Sequence, residues 1–224
     1  MKSCKYSNGL NQNLQSFIAL IGLILFYPIM LLIAFLLKVT SQGSILFKQE
    51  RLGRFGKPFI IYKFRTMRPH VNGSKFTYTE DKRITKIGGF LRKYKLDEIP
   101  QLWNILNHSM SFVGPRPEVK QYINLELSIW QDVLSVRPGL TDPITIELRN
   151  EQELLSQVKT NKESFYVNCL LPYKLKGQLK YIKERSWLSD LKIIFLTILS
   201  VLNPSISKTP SLEKIKKVVI NEIF

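Results

Sequence analysis

Apolar positions run unbroken from Phe17 to Leu37, FIALIGLILFYPIMLLIAFLL, without a charged residue. A helix needs about 20 apolar residues to cross a bilayer core, so this run predicts a membrane-embedded helix over residues 17–37. Pro28 falls near its middle, where it removes a backbone hydrogen bond and predicts a kink. A cleavable signal peptide would have an apolar region of about 7–15 residues ending at a small-residue cleavage site, and neither feature fits. Beyond it, residues 44–49 and 59–64 read as short strands, with Gly53, Gly56 and Pro58 marking a hairpin-like connection. Ile87, Phe90, Leu91 and Tyr94 recur at helical spacing, which predicts a helix over 84–95. A second helix is expected to start near Asp97, with Ile99, Leu102, Trp103, Ile105 and Leu106 as its apolar face.

The polar stretches punctuate this pattern. Residues 1–16 read as an arm, and Asn72-Gly73-Ser74 as a surface turn. SFVGPRPE, residues 111–118, is a rigid loop whose two prolines hold Arg116 extended between them. Residues 120–135 read as helical, 136–143 as a second loop, and 145–183 as mostly helical with a break near Pro172. Residues 187–202, WLSDLKIIFLTILSVL, carry Asp190 and Lys192 and are too short for a span. They suit a helix lying at a membrane interface and anchored by Trp187, or an ordinary core helix. The predicted organisation is an arm (1–16), a membrane helix (17–37), a folded domain (38–204) and a peripheral basic tail (205–224).

Charge narrows the partners. Lys and Arg number 33 against 17 Asp and Glu, a net +16. That excess favours nucleic acid, an anionic membrane surface or a phosphorylated substrate. Lys2 and Lys5 precede the apolar run; Lys38, Lys48, Arg51, Arg54 and Lys57 follow it, opposed there by Glu50 alone. The positive-inside tendency pulls both ends to the cytoplasm. A kinked, re-entrant helix satisfies both ends, and a plain span remains open on the residues alone. Cys4, Cys169, His70 and His108 lack metal-ligand spacing, so neither a structural zinc site nor a disulfide framework is expected.

The candidate chemistry lies in KLDEIPQ, where Asp97 and Glu98 stand side by side after a basic stretch. An aspartate cap and a first-turn acid explain the pair structurally. The flanking cations and a helix N-terminus favour ionisation of both acids. An ionised carboxylate can also bind Mg²⁺ or attack phosphorus. Neighbouring helical residues point about 100° apart, which suits one working acid and one orienting acid. Arg65, Arg92, Arg116 and Arg149 sit beside turns or element ends and offer planar forks for phosphate oxygens. The chain has no GxxxxGK[ST], GxGxxG, GxSxG or HExxH pattern.

In order, the Pro-bearing apolar segment, FKQERLGRFGKPFIIYKFRTM, ITKIGGFLRKYKLDEIPQLWNIL, SFVGPRPE and RPGLTD resemble the bacterial sugar transferases, the monotopic phosphoglycosyl transferases of glycan assembly. The resemblance covers roughly residues 15–200. It implies a small helix-rich α/β (α+β) domain with a re-entrant helix, resting on the cytoplasmic face of a bacterial inner membrane. It also implies transfer of a sugar phosphate from a UDP-sugar to a polyprenyl (undecaprenyl) phosphate, with release of UMP. By analogy Asp97 is the nucleophile and touches Mg²⁺, Glu98 supports it, and no nucleic acid takes part. Lys63, Arg65, Arg92, Arg116, Arg137 and Arg149 are then the candidate phosphate and nucleotide-sugar ligands. A homodimer stays open. The chain departs from the family at Tyr27 before the membrane proline, at Tyr94-Lys95 before the acids, and after RPGLT, where it reads Asp142-Pro143. The rivals are a membrane-anchored nucleic-acid binder, which predicts salt-sensitive DNA or RNA binding and indifference to loss of Asp97, and a non-catalytic scaffold on anionic lipid, which predicts membrane binding without turnover.

Overall fold

The computed structural model describes residues 9–68, 81–159, 161–207 and 209–220; the turn expected at Asn72-Gly73-Ser74 lies outside them. The first helix, α1 (Gln12–Thr40), is 29 residues long, a rod of about 43 Å. It starts earlier than the apolar run because the Asn11 side chain accepts from the N–H groups of Asn13 and Leu14. Residues 11–16 are therefore no arm. Gln15 is buried, with its Oε1 accepting from the Phe112 N–H at 2.7 Å. Pro28 lies inside the helix.

One face of α1 packs along the domain. Ala19 meets Leu102, Ile105 and Met110; farther along, Ile33 and Leu37 meet Phe64 and Leu91. The other face is open, with Phe17 61% and Leu25 69% exposed. Both ends are tied to the same domain, through Gln15 at the start and through Ser41, which accepts from Arg65, at the finish. Among the described residues α1 is the helix long and apolar enough to cross a membrane.

β1 (Leu46–Leu52) and β2 (Pro58–Phe64) form the expected antiparallel hairpin, with Leu46 opposite Phe64. Asn104 fixes β2 from the side: its Nδ2 donates to the Ile60 carbonyl at 2.7 Å and its Oδ1 accepts from the Tyr62 N–H. α2 (Lys86–Lys93) and α3 (Leu102–Leu106) follow, joined by a 3-10 helix over Leu96–Gln101. β3 (Ser111–Val113) and β4 (Gly139–Thr141) then pair in parallel, Ser111 opposite Gly139. Both stretches read as loops in the sequence, because three-residue strands carry too little alternation to register. A Cβ on Gly139 would lie 2.1 Å from the Gly114 nitrogen, so the close approach of these two loops requires glycine.

The remaining chain forms the main core. Of the helix expected over 120–135, α4 (Ser128–Val133) is α-helical and Lys120–Tyr122 is a 3-10 turn. α5 (Pro143–Glu147), α6 (Glu151–Ser156), α7 (Lys162–Phe165), a π-helical turn (Tyr166–Leu170) and α8 (Leu171–Glu184) replace the long helix expected over 145–183. α9 (Trp187–Leu202) matches its predicted span and starts at a reciprocal Ser186–Ser189 cap. It buries Asp190, Ile193 and Ser200 and exposes Trp187, Phe195 and Leu202. α10 (Leu212–Ile220) corrects the reading of a peripheral tail, since Ile215 is fully buried in the main core with Leu212 and Val218 packed against it. The result is a helix-rich α+β domain with two small sheets among the described residues.

Candidate active site

Asp97 and Glu98 reach their positions through a strained turn. α2 ends at Lys93, whose carbonyl accepts from Arg149 Nη2 at 3.1 Å. Lys95 then takes a left-handed conformation, φ 57° and ψ 18°, which costs a residue with a Cβ about 1–2 kcal/mol. The chain emerges into the 3-10 helix with both acids in its first turn and Pro100 inside it. Asp97 is thus not the cap expected of it: Lys95 holds that position, and no side chain caps this helix. Asp97 and Glu98 are both buried, at 7% and 9% exposure.

Glu98 is clamped. Its Oε1 accepts from Lys63 Nζ at 2.8 Å and from Arg116 Nη2, and its Oε2 accepts from Arg116 Nη1 at 3.3 Å. A guanidinium fork on a carboxylate fixes both partners in direction as well as distance. Lys63 comes from β2, which Asn104 braces. Arg116 comes from the proline-bracketed loop, and its Nη1 also donates to the Leu140 carbonyl at 3.2 Å. Its backbone N–H donates to Asp142 Oδ2 at 3.1 Å. Asp142 is fully buried, accepts from the Thr145 N–H at 2.6 Å to cap α5, and accepts from Gln178 Nε2 at 3.2 Å. The sequence reading missed this anchor. An aspartate followed by proline signals a helix start, but nothing in the sequence signals its bond to Arg116.

The two acids differ electrostatically. Burial and the neighbouring Glu98 charge raise the Asp97 pKa above its ordinary value, against Lys63, Lys95 and Arg92. Burial also pushes Glu98 upward, but Arg116 and Lys63 outweigh it and hold its carboxyl well below the usual range. Glu98 in turn raises the Arg116 pKa. Burial lowers the Lys63 pKa despite the Glu98 partner. The expectation that helix position and nearby cations favour both carboxylates fits Glu98; for Asp97, burial works against ionisation. Asp97 Oδ1 is buried and has no hydrogen-bond partner among the described residues.

The other candidates fall around this centre differently. Arg92 Nε donates to Thr66 Oγ1 at 2.7 Å, while its buried Nη1 has no partner among the described residues. Burial lowers the Arg92 pKa and the Asp97 charge opposes that shift, so the guanidinium senses the site. Arg65 turns instead to the end of α1, where Nη2 donates to Ser41 Oγ at 2.7 Å and to the Ser41 carbonyl. Arg137 Nη1 donates to Gln12 Oε1 at 3.2 Å, at the opposite end of α1. Arg149 braces α2 through the Lys93 carbonyl. The structure thus joins Lys63, Arg116 and Glu98 by direct bonds beside Asp97; the bonds described for Arg65, Arg137 and Arg149 go elsewhere.

Among the described residues no group of three or more His, Cys, Asp or Glu gathers to hold a metal. Glu98 is committed to cations, which leaves the unpartnered Asp97 oxygen as the available hard ligand. One carboxylate is compatible with Mg²⁺ only where substrate phosphates supply further oxygens, since Mg²⁺ is commonly held by one or two carboxylates together with them.

Comparison with known proteins places the chain in a family. Residues 6–204 match the family described as bacterial sugar transferase. A UDP-glucose:undecaprenyl-phosphate glucose-1-phosphate transferase of Klebsiella pneumoniae is 38% identical over 182 residues, 79% of this chain and 36% of that protein. A UDP-N-acetylgalactosamine-undecaprenyl-phosphate N-acetylgalactosaminephosphotransferase of Aeromonas hydrophila is 32% identical over 189 residues, 82% of this chain and 41% of that protein. The exopolysaccharide production protein ExoY of Sinorhizobium fredii is 34% identical over 203 residues, covering 82% of this chain and 81% of that protein. The chain spans less than half the length of the first two relatives. With the family match running through the apolar helix, the hairpin, the acid pair and α9, the chain belongs to the bacterial sugar transferase family.

Proposed function

We propose that the chain transfers a sugar 1-phosphate from a UDP-sugar to undecaprenyl phosphate at the cytoplasmic face of a bacterial inner membrane. The observation that carries this reading is the division of labour between the acids: Glu98 is clamped by Lys63 and Arg116, while Asp97 is buried beside it with an oxygen unpartnered. The names of relatives such as the Klebsiella and Aeromonas proteins supply the donor and acceptor classes. In this reading an Asp97 oxygen attacks the phosphorus that bears the sugar, and the bond from that phosphorus to UMP breaks. UMP leaves with the electron pair, and the sugar phosphate is held as an acyl phosphate on Asp97. An oxygen of undecaprenyl phosphate then attacks the same phosphorus, the bond to Asp97 breaks, and the carboxylate is restored.

Glu98 keeps Lys63 and Arg116 beside the reacting phosphates, where fixed cations stabilise the charge that accumulates on the transferring group. Asp97 is the residue that would hold Mg²⁺, which when bound would neutralise phosphate charge. Burial raises the free energy of the Asp97 carboxylate, as its raised pKa records, and so favours its use as a nucleophile. The exposed face of α1 gives the enzyme contact with the lipid phase where the acceptor resides. Both ends of α1 bind one domain, which supports an embedded helix that does not carry its ends to opposite sides.

The test is UMP release by the purified, detergent-solubilised chain from a panel of UDP-sugars, with Mg²⁺ and undecaprenyl phosphate. Release should require lipid and metal, and Asp97→Asn should lower it at least about 10³-fold. Release that survives Asp97→Asn would remove the covalent route. No release from any donor, with the chain folded, would favour the scaffold reading.

A further inference from the structure

A second cluster of arginines lies at the root of α1. Arg137 Nη1 donates to Gln12 Oε1 at 3.2 Å. Arg54 Nε donates at 3.0 Å to the carbonyl of Ser135, two residues before Arg137. Asp190 Oδ2 accepts from the Leu10 N–H at 2.9 Å and faces Arg185 Nη2 at 3.5 Å. A Cβ on Gly9 would fall within 2.2 Å of the same Arg185 nitrogen. Residues 9–12 therefore run from Arg185 to Arg137, and Arg54 is bonded to the segment that carries Arg137.

The carboxylate in this group is already committed, since Asp190 also accepts from Tyr181 at 2.7 Å through Oδ1. Arg54 and Arg137 each use one donor in these hydrogen bonds, of five on a guanidinium. Burial lowers the Arg137 pKa, and the charges of Arg54 and Arg185 lower it further. Asp190 pairs with Arg185, while the bonds described for Arg54 and Arg137 go to neutral oxygens, so among the described residues these two guanidinium charges have no ion-pair partner.

The neighbourhood is apolar as well as basic. α1 leaves the cluster with Leu14 and Phe17 exposed, and α9 leaves it with Trp187 and Leu188 exposed. A soluble anion would use only the arginines. A lipid phosphate would use both the arginines and the apolar flanks, and tryptophan is enriched at that depth of a bilayer.

We propose that Arg54, Arg137 and Arg185 form an anion site, separate from the acid pair, that holds the headgroup phosphate of an anionic bilayer lipid at the start of α1. It would fix the depth at which the helix and α9 meet the membrane, and it does not depend on the transfer chemistry. The test uses the full chain in a neutral detergent, with thermal unfolding followed during titration by dioctanoyl-phosphatidylglycerol, dioctanoyl-phosphatidylcholine or inorganic phosphate. Phosphatidylglycerol should raise the unfolding temperature, and the other two should not match it. Arg54→Gln and Arg137→Gln should each bind phosphatidylglycerol about tenfold more weakly, the scale of one lost charged hydrogen bond. The two residues lie on different segments, and each lipid-free variant supplies its own baseline. Equal shifts with phosphatidylcholine, a full shift with inorganic phosphate alone, or unchanged affinity in a folded variant would overturn the proposal.

Discussion

At the scale of single residues, Asp97 and Glu98 are neighbours in opposite electrostatic circumstances. Glu98 has a lowered pKa, so its clamp contributes stability above its ordinary value of 4.5 that is lost as pH falls towards the folded value. Asp97 has the reverse sign. Its raised pKa means the folded state loses stability as pH rises through that value. Asp97→Asn is therefore expected to melt above the wild type at neutral pH while losing transfer, the trade between stability and function found at active sites. A scanning calorimetry trace with the variant melting lower would contradict this. Lys63 favours the ionised form of Asp97. Lys63→Met should accordingly move the acid limb of the pH–rate profile for UMP release to higher pH, and an unmoved or lowered limb would exclude the coupling.

At the scale of elements, the site depends on how α2 lies against the end of β2. A Cβ on Gly88 would come within 2.0 Å of the Thr66 carbonyl oxygen, and Thr66 Oγ1 is the acceptor that holds Arg92. Gly88→Ala must push α2 off the strand end, an overpacking expected to cost about 1–3 kcal/mol. Chemical denaturation would measure that loss, and stability within about 0.5 kcal/mol of wild type would mean the contact relaxes freely. The helix spacing of Ile87, Phe90 and Leu91 was legible in the sequence. The strained Lys95 and the 3-10 turn after it were not, because a left-handed lysine is imposed by the packing on either side.

At the scale of the whole molecule, α1 is a long apolar helix with one face packed on the domain it belongs to. Both its ends bond to that domain, through Gln15 and through Ser41. Asn13 and Thr40 lie exposed near its two ends. With Cys4 and Cys169 replaced, Asn13→Cys and Thr40→Cys are each expected to react with a membrane-impermeant maleimide in inside-out vesicles and to be protected in intact cells. Labelling of the two positions from opposite sides would show a span.

The sequence by itself determined the apolar helix, the hairpin, α9 and the acid pair within its basic surroundings. These are local properties: an uncharged run, an alternation, a helical period and a short motif. The tertiary structure alone decided that Glu98 is clamped by Lys63 from one strand and by Arg116 from a distant loop, with an Asp97 oxygen buried beside them without a described partner. It alone turned Arg65 and Arg137 to opposite ends of α1, paired two three-residue strands, and buried Ile215 of the tail. Each of these depends on contacts between segments far apart in the chain. A hydrophobic pattern records which face of a segment is buried but not which partner buries it.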